Sequence, residues 1–400
     1  MNTSLNNILY IHQYFKTPNE AGGTRSYWLA KKLVDNGFNI TMYTTSVNIN
    51  EKKVVKIVDG IKVVYIKLPY SQKMNISQRL YSFISFMIKA SFFAFKEKNI
   101  DLIFATSTPL TVGFPALVLK KIKKIPYLFE VRDLWPEVPI QMGGLKNKLL
   151  QKLAIYFEKT IYKNAKHIIA LSPGMYDGVI KYVSSSKVSM IPNMSKIDEF
   201  WQRKKNLSLI NKLGLKGSSF KIIHFGALGL ANGIDSIIES AKLLKDDSSI
   251  EFVFIGGGSL EKSLIKQCKK YNLSNVHFLG KFNMKETSKI VNFCDVSIVS
   301  FLNIPILYTN SPNKLFDSLS AGKPIIVNSA GWTKDLVEKN KCGYYVNPSI
   351  HQELMEKILF LKENPKIVLE MGENSRKLAE NVYDKLLLTN QFLDVIKSNI

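Results

Sequence analysis

Cysteine, acidic side chains and metal-clamp spacings are what this chain has least of, and each shortage excludes something. Only three cysteines occur, Cys268, Cys294 and Cys342. Their odd number and scattered positions argue against a disulfide framework and a zinc site, and they fit a reducing compartment. No Asp-x-Asp pair is present, so a metal-independent site with no cofactor is expected. No G-x-x-x-x-G-K-[ST] stretch exists, which disfavours nucleoside triphosphate hydrolysis, and the glycine clusters do not fit G-x-G-x-x-G. The opening MNTSLNNILYIHQYF lacks a basic n-region and a long apolar h-region, so secretion is not expected and a cytoplasmic location is. Acidic residues are outnumbered, 32 against 55 Lys and Arg, for a net charge of +23. Residues 1–200 carry 28 basic against 13 acidic residues, a balance of +15, and residues 201–400 carry 27 against 19, a balance of +8. Such an excess permits a polyanionic partner, whether nucleic acid, an acidic membrane surface or a phosphorylated small molecule. Lys, Ile and Asn abound throughout, so the charge is permissive rather than diagnostic.

What is present is a regular alternation. Apolar residues make up 46% and charged residues 22% of 400 positions, the composition of a soluble globular protein too long for one ordinary core. Apolar runs at 8–11, 40–44, 102–105, 127–131 and 167–171 recur in the second half at 221–225, 252–255, 276–279, 296–299 and 324–327. Helical patterns lie between them, among them 24–36, 146–163, 233–244 and 260–271. Continuous apolar strands spaced by helices predict an α/β protein of two doubly wound parallel-sheet domains, covered on both faces. Polar residues at 192–206 mark the boundary, giving expected domains at 1–198 and 199–382. Ligands of such folds bind at the carboxyl ends of the strands.

Three segments carry the chemistry. Residues 311–327, SPNKLFDSLSAGKPIIV, read as a helix punctuated by Ser311 as N-cap, Pro312 at the first position and Gly322 at the end. Leu315, Phe316 and Leu319 share one face; Asn313, Lys314 and Asp317 share the other. A helix start with free N–H groups and Lys314 suits phosphates, and Asp317 suits ribose hydroxyls, which together fit a nucleoside diphosphate. The loop after the first strand places Gly22 and Gly23 before a helix, and the second half opens similarly with Gly226 and Gly229. The segment FEVRDLWPEVP, 129–139, crowds Arg132, Asp133 and Glu137 at a strand end, with Arg132 able to grip phosphate and Asp133 able to bond a sugar or accept a proton. His12 and His224, also near strand ends, read as structural. Separately, residues 79–98 form an apolar helix whose Ser82, Ser85, Lys89 and Lys96 make a narrow polar stripe. It is too short, with Lys89 too central, to span a membrane comfortably. The open alternatives are a buried core helix and an interfacial helix on an anionic surface, the latter helped by Lys120, Lys121, Lys123 and Lys124.

These pieces together, with IIALSPGM, MIPN, HFGALGLANGID, FIGGGSLEKSL and CDVSIV, resemble retaining glycosyltransferases of family 4, which have the GT-B fold and act in bacterial surface polysaccharide synthesis. RDLWPE and PNKLFDSLSAGKP are most similar to a subgroup that handles N-acetylated deoxysugars such as N-acetylfucosamine. The resemblance implies two Rossmann-like domains facing a cleft, an acceptor-binding first domain, a nucleotide-sugar-binding second domain and a last helix (383–400) crossing back onto the first. It implies transfer from a UDP-sugar to a polyprenyl-diphosphate-linked saccharide of O-antigen or capsule at the inner membrane face, with no nucleic acid partner. It aligns Asp317 with the second member of the family's Glu-x7-Glu pair and Thr309 with the first, so Thr309 joins Gly22, Gly23 and Glu137 as a donor-sugar or acceptor residue. Ala227 and Asn232 stand where the family's phosphate loop has Arg and Lys, and Arg132 roughly where it has a cleft histidine. Gly229, Ser311, Asn313, Lys314 and Asp317 are then expected to hold the diphosphate and nucleoside, with Arg132 and Asp133 catalytic. A GT-B-fold UDP-sugar epimerase and a non-catalytic basic module for membrane or nucleic acid are the alternative readings.

Overall fold

A computed structural model describes residues 6–20, 22–69 and 74–400; the first five residues of the segment read above for a leader lie outside that set. The first half forms strands β1 (Asn7–Ile11), β2 (Asn39–Ser46), β3 (Lys53–Val58), β4 (Ile61–Lys67), β5 (Leu102–Thr106), β6 (Tyr127–Val131), β7 (His167–Ala170) and β8 (Val188–Met190). The second forms β9 (Phe220–Ala227), β10 (Ile250–Gly257), β11 (Val276–Gly280), β12 (Val296–Val299), β13 (Ile325–Val327) and β14 (Gly343–Tyr345). Their orders are β3-β4-β2-β1-β5-β6-β7-β8 and β11-β10-β9-β12-β13-β14. Both are doubly wound: chain order reverses between β1 and β5 and between β9 and β12, and the crevices above those switch points are where ligands bind.

Burial explains the strands. Every residue of β5, β6 and β12 is buried, as helices on both faces require of a parallel sheet. The expectation of purely parallel sheets needs one correction: β3 pairs antiparallel with β4 at the edge of the first sheet. Lys53, Val55, Lys56 and Ile57 of β3 are exposed, so no continuous apolar run announces it. The turn at Asp59–Gly60 joins the two strands, both residues having positive φ (48° and 85°).

The chain crosses between the halves twice. After β8 it runs through residues 191–206, and near the end it returns. Ser195 bridges the two passages, donating its N–H to Tyr383 O (2.7 Å) and accepting from the Lys385 N–H (2.9 Å). The last helix, Lys385–Lys397, is capped by Asp384 and buries Leu388, Phe392, Leu393 and Ile396 in the core of the first sheet. Its Phe392 ring lies 5.0 Å from that of Phe104 on β5.

The helix Ile76–Lys96 starts with a capping box between Asn75 and Gln78. Here the structure corrects the polar-stripe reading. Ser82 is fully buried with Phe86, Ala90 and Ala94, and its hydroxyl accepts from the Gln13 side chain (3.3 Å). The opposite, solvent-facing side is the apolar one.

Candidate active site

The first of two joined cavities lies at the carboxyl ends of β9 and β10 and encloses about 490 Å³, the size of a small-molecule pocket. Gly226 (φ +117°) and Gly256 (φ +131°) sit side by side there, and a Cβ on Gly256 would fall 1.7 Å from Gly226 O, so that strand pair tolerates only glycine. The helix Asn313–Ser320 points its start at this cavity. Its Lys314 reaches back to β9 and the turn that follows it, where Nζ lies 3.2 Å from His224 Nε2 and 3.1 Å from Asn232 Oδ1. Neither partner is a carboxylate. Burial therefore pushes the Lys314 ammonium down to about 7, and burial followed by the Lys314 charge holds His224 well below the usual imidazole range. One turn on, Asp317 is ion-paired with Lys196 at 2.9 Å, both nearly fully buried. Burial raises the Asp317 carboxyl and Lys196 opposes it. The Lys196 ammonium also lies 5.5 Å from the Phe200 ring centroid.

The second cavity, about 300 Å³, lies above the switch point of the first sheet. Arg132, just past β6, donates its N–H to Ser107 Oγ (2.9 Å) and places Nη1 3.4 Å from His12 Nε2. Because the guanidinium can only donate, His12 Nε2 accepts, and the proton sits on Nδ1, 2.6 Å from Ser26 Oγ. Burial, then the Arg132 charge, keeps this ring neutral. Asp133 accepts from Thr108 Oγ1 (2.5 Å), and burial raises its carboxyl against the opposing effects of Thr108 and Arg132. Asn193 and Asn310 also line this cavity, each with a buried amide oxygen lacking a hydrogen-bond partner. The two cavities meet at Gly23 and Asn313, which line both. A Cβ on Gly23 would press within 2.9 Å of Asn313 Nδ2, with Arg132 Nη2 beyond it at 3.8 Å.

Residues 22–198 match the family described as Glycosyltransferase Family 4, and residues 206–378 match Glycosyl transferases group 1. The chain is a GT-B glycosyltransferase. It is 24% identical over 326 residues to the N,N'-diacetylbacillosaminyl-diphospho-undecaprenol alpha-1,3-N-acetylgalactosaminyltransferase of Campylobacter jejuni, an alignment covering 77% of this chain and 81% of that one. An uncharacterized glycosyltransferase of Methanocaldococcus jannaschii is 26% identical over 155 residues, 39% of this chain and 42% of the archaeal protein. Among solved structures, HepE of Anabaena in complex with UDP-glucose superposes with a TM-score of 0.72 at 18% identity, covering 98% of this chain and 99% of that one. A further relative, WcaI of Escherichia coli, is named a putative colanic acid biosynthesis glycosyl transferase and is 23% identical over 288 residues, 70% of each chain.

The glycosyltransferase gathers most of the expected site residues but not all. Gly22, Gly23, Asn313, Lys314 and Asp317 line the first cavity, and Arg132, Asp133 and Ser311 the second. Ser311 is not the helix cap: Pro312 holds that position, with extended backbone and no side-chain cap, and the Ser311 carbonyl accepts from Asn193 Nδ2 (2.5 Å). Thr309 lines neither cavity. Its hydroxyl donates to Ile306 O (2.8 Å), its carbonyl accepts from Ser172 Oγ (2.5 Å), and its methyl packs over Gly174, so it joins the two halves instead. Glu137 is likewise absent from both linings and accepts from Gln141 Nε2 (2.6 Å). Gly229 stands back from the cavity at the start of the turn Leu230–Asn232, and Asn232 presents its side chain in its place. Residue reading passed over Lys196 and Asn193, and set His12 and His224 aside as structural. For the two histidines the position at strand ends was the available signal; the partners of all four were not.

Proposed function

We propose that this glycosyltransferase moves a sugar, an N-acetylated deoxyhexose, from a UDP-sugar to a polyprenyl-diphosphate-linked saccharide of O-antigen or capsule at the inner face of the plasma membrane, where it is peripheral. The transfer runs with retention of configuration, as the family 4 resemblance implies, and without metal. The observation that carries the reading is Lys314: a half-buried cation with no counter-charge, at a helix start, in a cavity that opens onto a second one. A diphosphate supplies the missing anion, and helix N–H groups add to the attraction. Asp317 keeps lone pairs for ribose hydroxyls beside Lys196, since a carboxylate accepts at about four sites.

The donor sugar then extends past Gly23 and Asn313 toward Arg132 and Asp133. Glycine at position 23 lets a ring approach the backbone. Arg132 steadies the developing negative charge of the departing diphosphate, and Asp133 bonds a sugar hydroxyl. The HepE complex holds UDP-glucose, and the Campylobacter jejuni relative is named for a diphospho-undecaprenol acceptor; both support the assignment of substrates.

Two measurements test this. In a thermal-shift screen of UDP-, GDP- and ADP-sugars, UDP-sugars should stabilise the protein most, and a larger shift with GDP- or ADP-sugars overturns the donor. Transfer activity should survive EDTA; loss with chelator and recovery with Mg²⁺ or Mn²⁺ would show the metal-free route to be wrong.

A further inference from the structure

The layer of helices on one side of the first sheet exposes apolar side chains in two ordered rows. On Ile76–Lys96 the row is Tyr81, Ile84, Ile88, Phe92 and Phe95, with Tyr81 64%, Ile88 58% and Phe92 56% exposed. Steps of three and four residues keep these on one helix face. On Lys148–Asn164 it is Leu149, Leu153 and Tyr156, 66%, 55% and 71% exposed. Gly113–Lys123 lies between these helices: Phe114 contacts Phe157 at 6.3 Å between ring centroids, and Lys123 Nζ donates to Glu97 O (2.9 Å) past the end of the first helix. A soluble surface seldom leaves so many large apolar groups together without a partner.

Charge says which partner. The three helices carry ten Lys and Arg and one acidic residue, Glu158, which is buried. Lysines flank the exposed rings, with Lys96 Nζ 4.1 Å from the Phe92 centroid and Lys123 Nζ 4.9 Å from that of Phe95, so ammonium heads and apolar bodies share one level. No helix among the described residues is long and apolar enough to cross a membrane.

We propose that this three-helix face docks flat on an anionic phospholipid bilayer and sets the second cavity beside the headgroups. Apolar rows enter the acyl boundary while lysines meet lipid phosphates. The orientation follows from the first helix, whose opening turns lie beside the second cavity: Ser82 accepts from Gln13, which sits between the lining residues His12 and Tyr14, and Phe83 lies 6.1 Å from Trp135, three residues beyond Arg132. An acceptor anchored in lipid would then present its saccharide hydroxyl at the cavity, its diphosphate staying at the level of the headgroups. That last step rests on the acceptor proposed above; the docking itself does not.

Flotation with phosphatidylglycerol-containing vesicles, compared with pure phosphatidylcholine vesicles, tests it on the full chain. The protein should float with the anionic vesicles only, and less as salt rises. Ile84→Ser/Ile88→Ser/Phe92→Ser and, independently, Leu149→Ser/Leu153→Ser/Tyr156→Ser should each cut the bound fraction at least tenfold, with the UDP thermal shift unchanged. Should a serine variant misfold, Lys121→Glu/Lys152→Glu, on exposed positions, should lose anionic binding equally. Failure of the wild type to float, or unchanged binding in the variants, overturns the proposal. So does a wild-type dimer that these variants convert to monomer, because the face would then be a self-association surface. The assay contains neither donor nor acceptor, so its failure removes the peripheral location proposed above but leaves the transfer reaction standing, and loss of the UDP shift alone leaves the docking standing.

Discussion

Two lysines, Lys196 buried and Lys314 half-buried, line the same cavity and answer to different rules. Lys196 has a carboxylate at 2.9 Å, and Lys314 has an imidazole and an amide. The first is a closed pair, its charge balanced inside the protein. The second is an open position: burial penalises its ammonium, and only neutral acceptors compensate it, so its affinity for a proton falls to about 7. A cation held in that state is poised for an anion that arrives from outside. The lesson is that a charged side chain in a cleft is characterised as much by what it lacks as by what it touches: one lysine is satisfied by an internal carboxylate and the other is left without a counter-charge.

The comparison can be broken at each member. The largest effect should come from Lys196→Met, which leaves Asp317 buried without its counter-charge; a loss of about 3–5 kcal/mol of stability is expected in denaturant unfolding. Lys196→Met/Asp317→Leu should recover most of it, and a double variant as unstable as the single would deny that the two form a closed pair. Lys314→Met removes no internal ion pair and should leave stability intact or raised. It should instead weaken UDP by about 1.5–3 kcal/mol in calorimetric titration while uridine binds as before. Equal losses for both ligands would move Lys314 away from the diphosphate. The smallest effect concerns the ribose. In the Lys196→Met background, Asp317→Asn should restore stability while still costing uridine about 0.5–1.5 kcal/mol; unchanged uridine affinity takes Asp317 off the ribose.

Why some of this was legible in the sequence and some was not follows from the same contrast. The parallel strands announced themselves because a strand covered on both faces is a nearly continuous apolar run, as 8–11 and 102–105 are. The edge strand Lys53–Val58 did not, since one free side lets lysines into it, and Val188–Met190 and Gly343–Tyr345 are too short for any period to register. Within the site, Lys314 and Asp317 could be read from one helix face, because local spacing fixes their relation. Lys196 and His224 could not, because their roles depend on partners that only the fold brings near. Thr309 was placed at the site by alignment to a carboxylate position, yet its hydroxyl is satisfied by its own turn at Ile306. For the helix Ile76–Lys96, composition left core and interface open; burial of Ser82 beside exposed Phe92 decides which face is which.

The central claim, that Lys314 waits partly deprotonated for a diphosphate, predicts a proton balance. A depressed value near 7 in the free protein means the side chain is largely neutral at pH 8, and a bound diphosphate raises it again, so binding must take up a proton there. Affinity for UDP should accordingly be highest below pH 7 and fall as pH rises above it, by up to roughly 1.4 kcal/mol per unit. The direct measurement is isothermal titration with UDP at pH 8 in buffers of different ionisation enthalpy. Uptake approaching one proton for wild type, with none for Lys314→Met and none for uridine, is the expected result; wild-type UDP binding with no proton uptake would contradict the account.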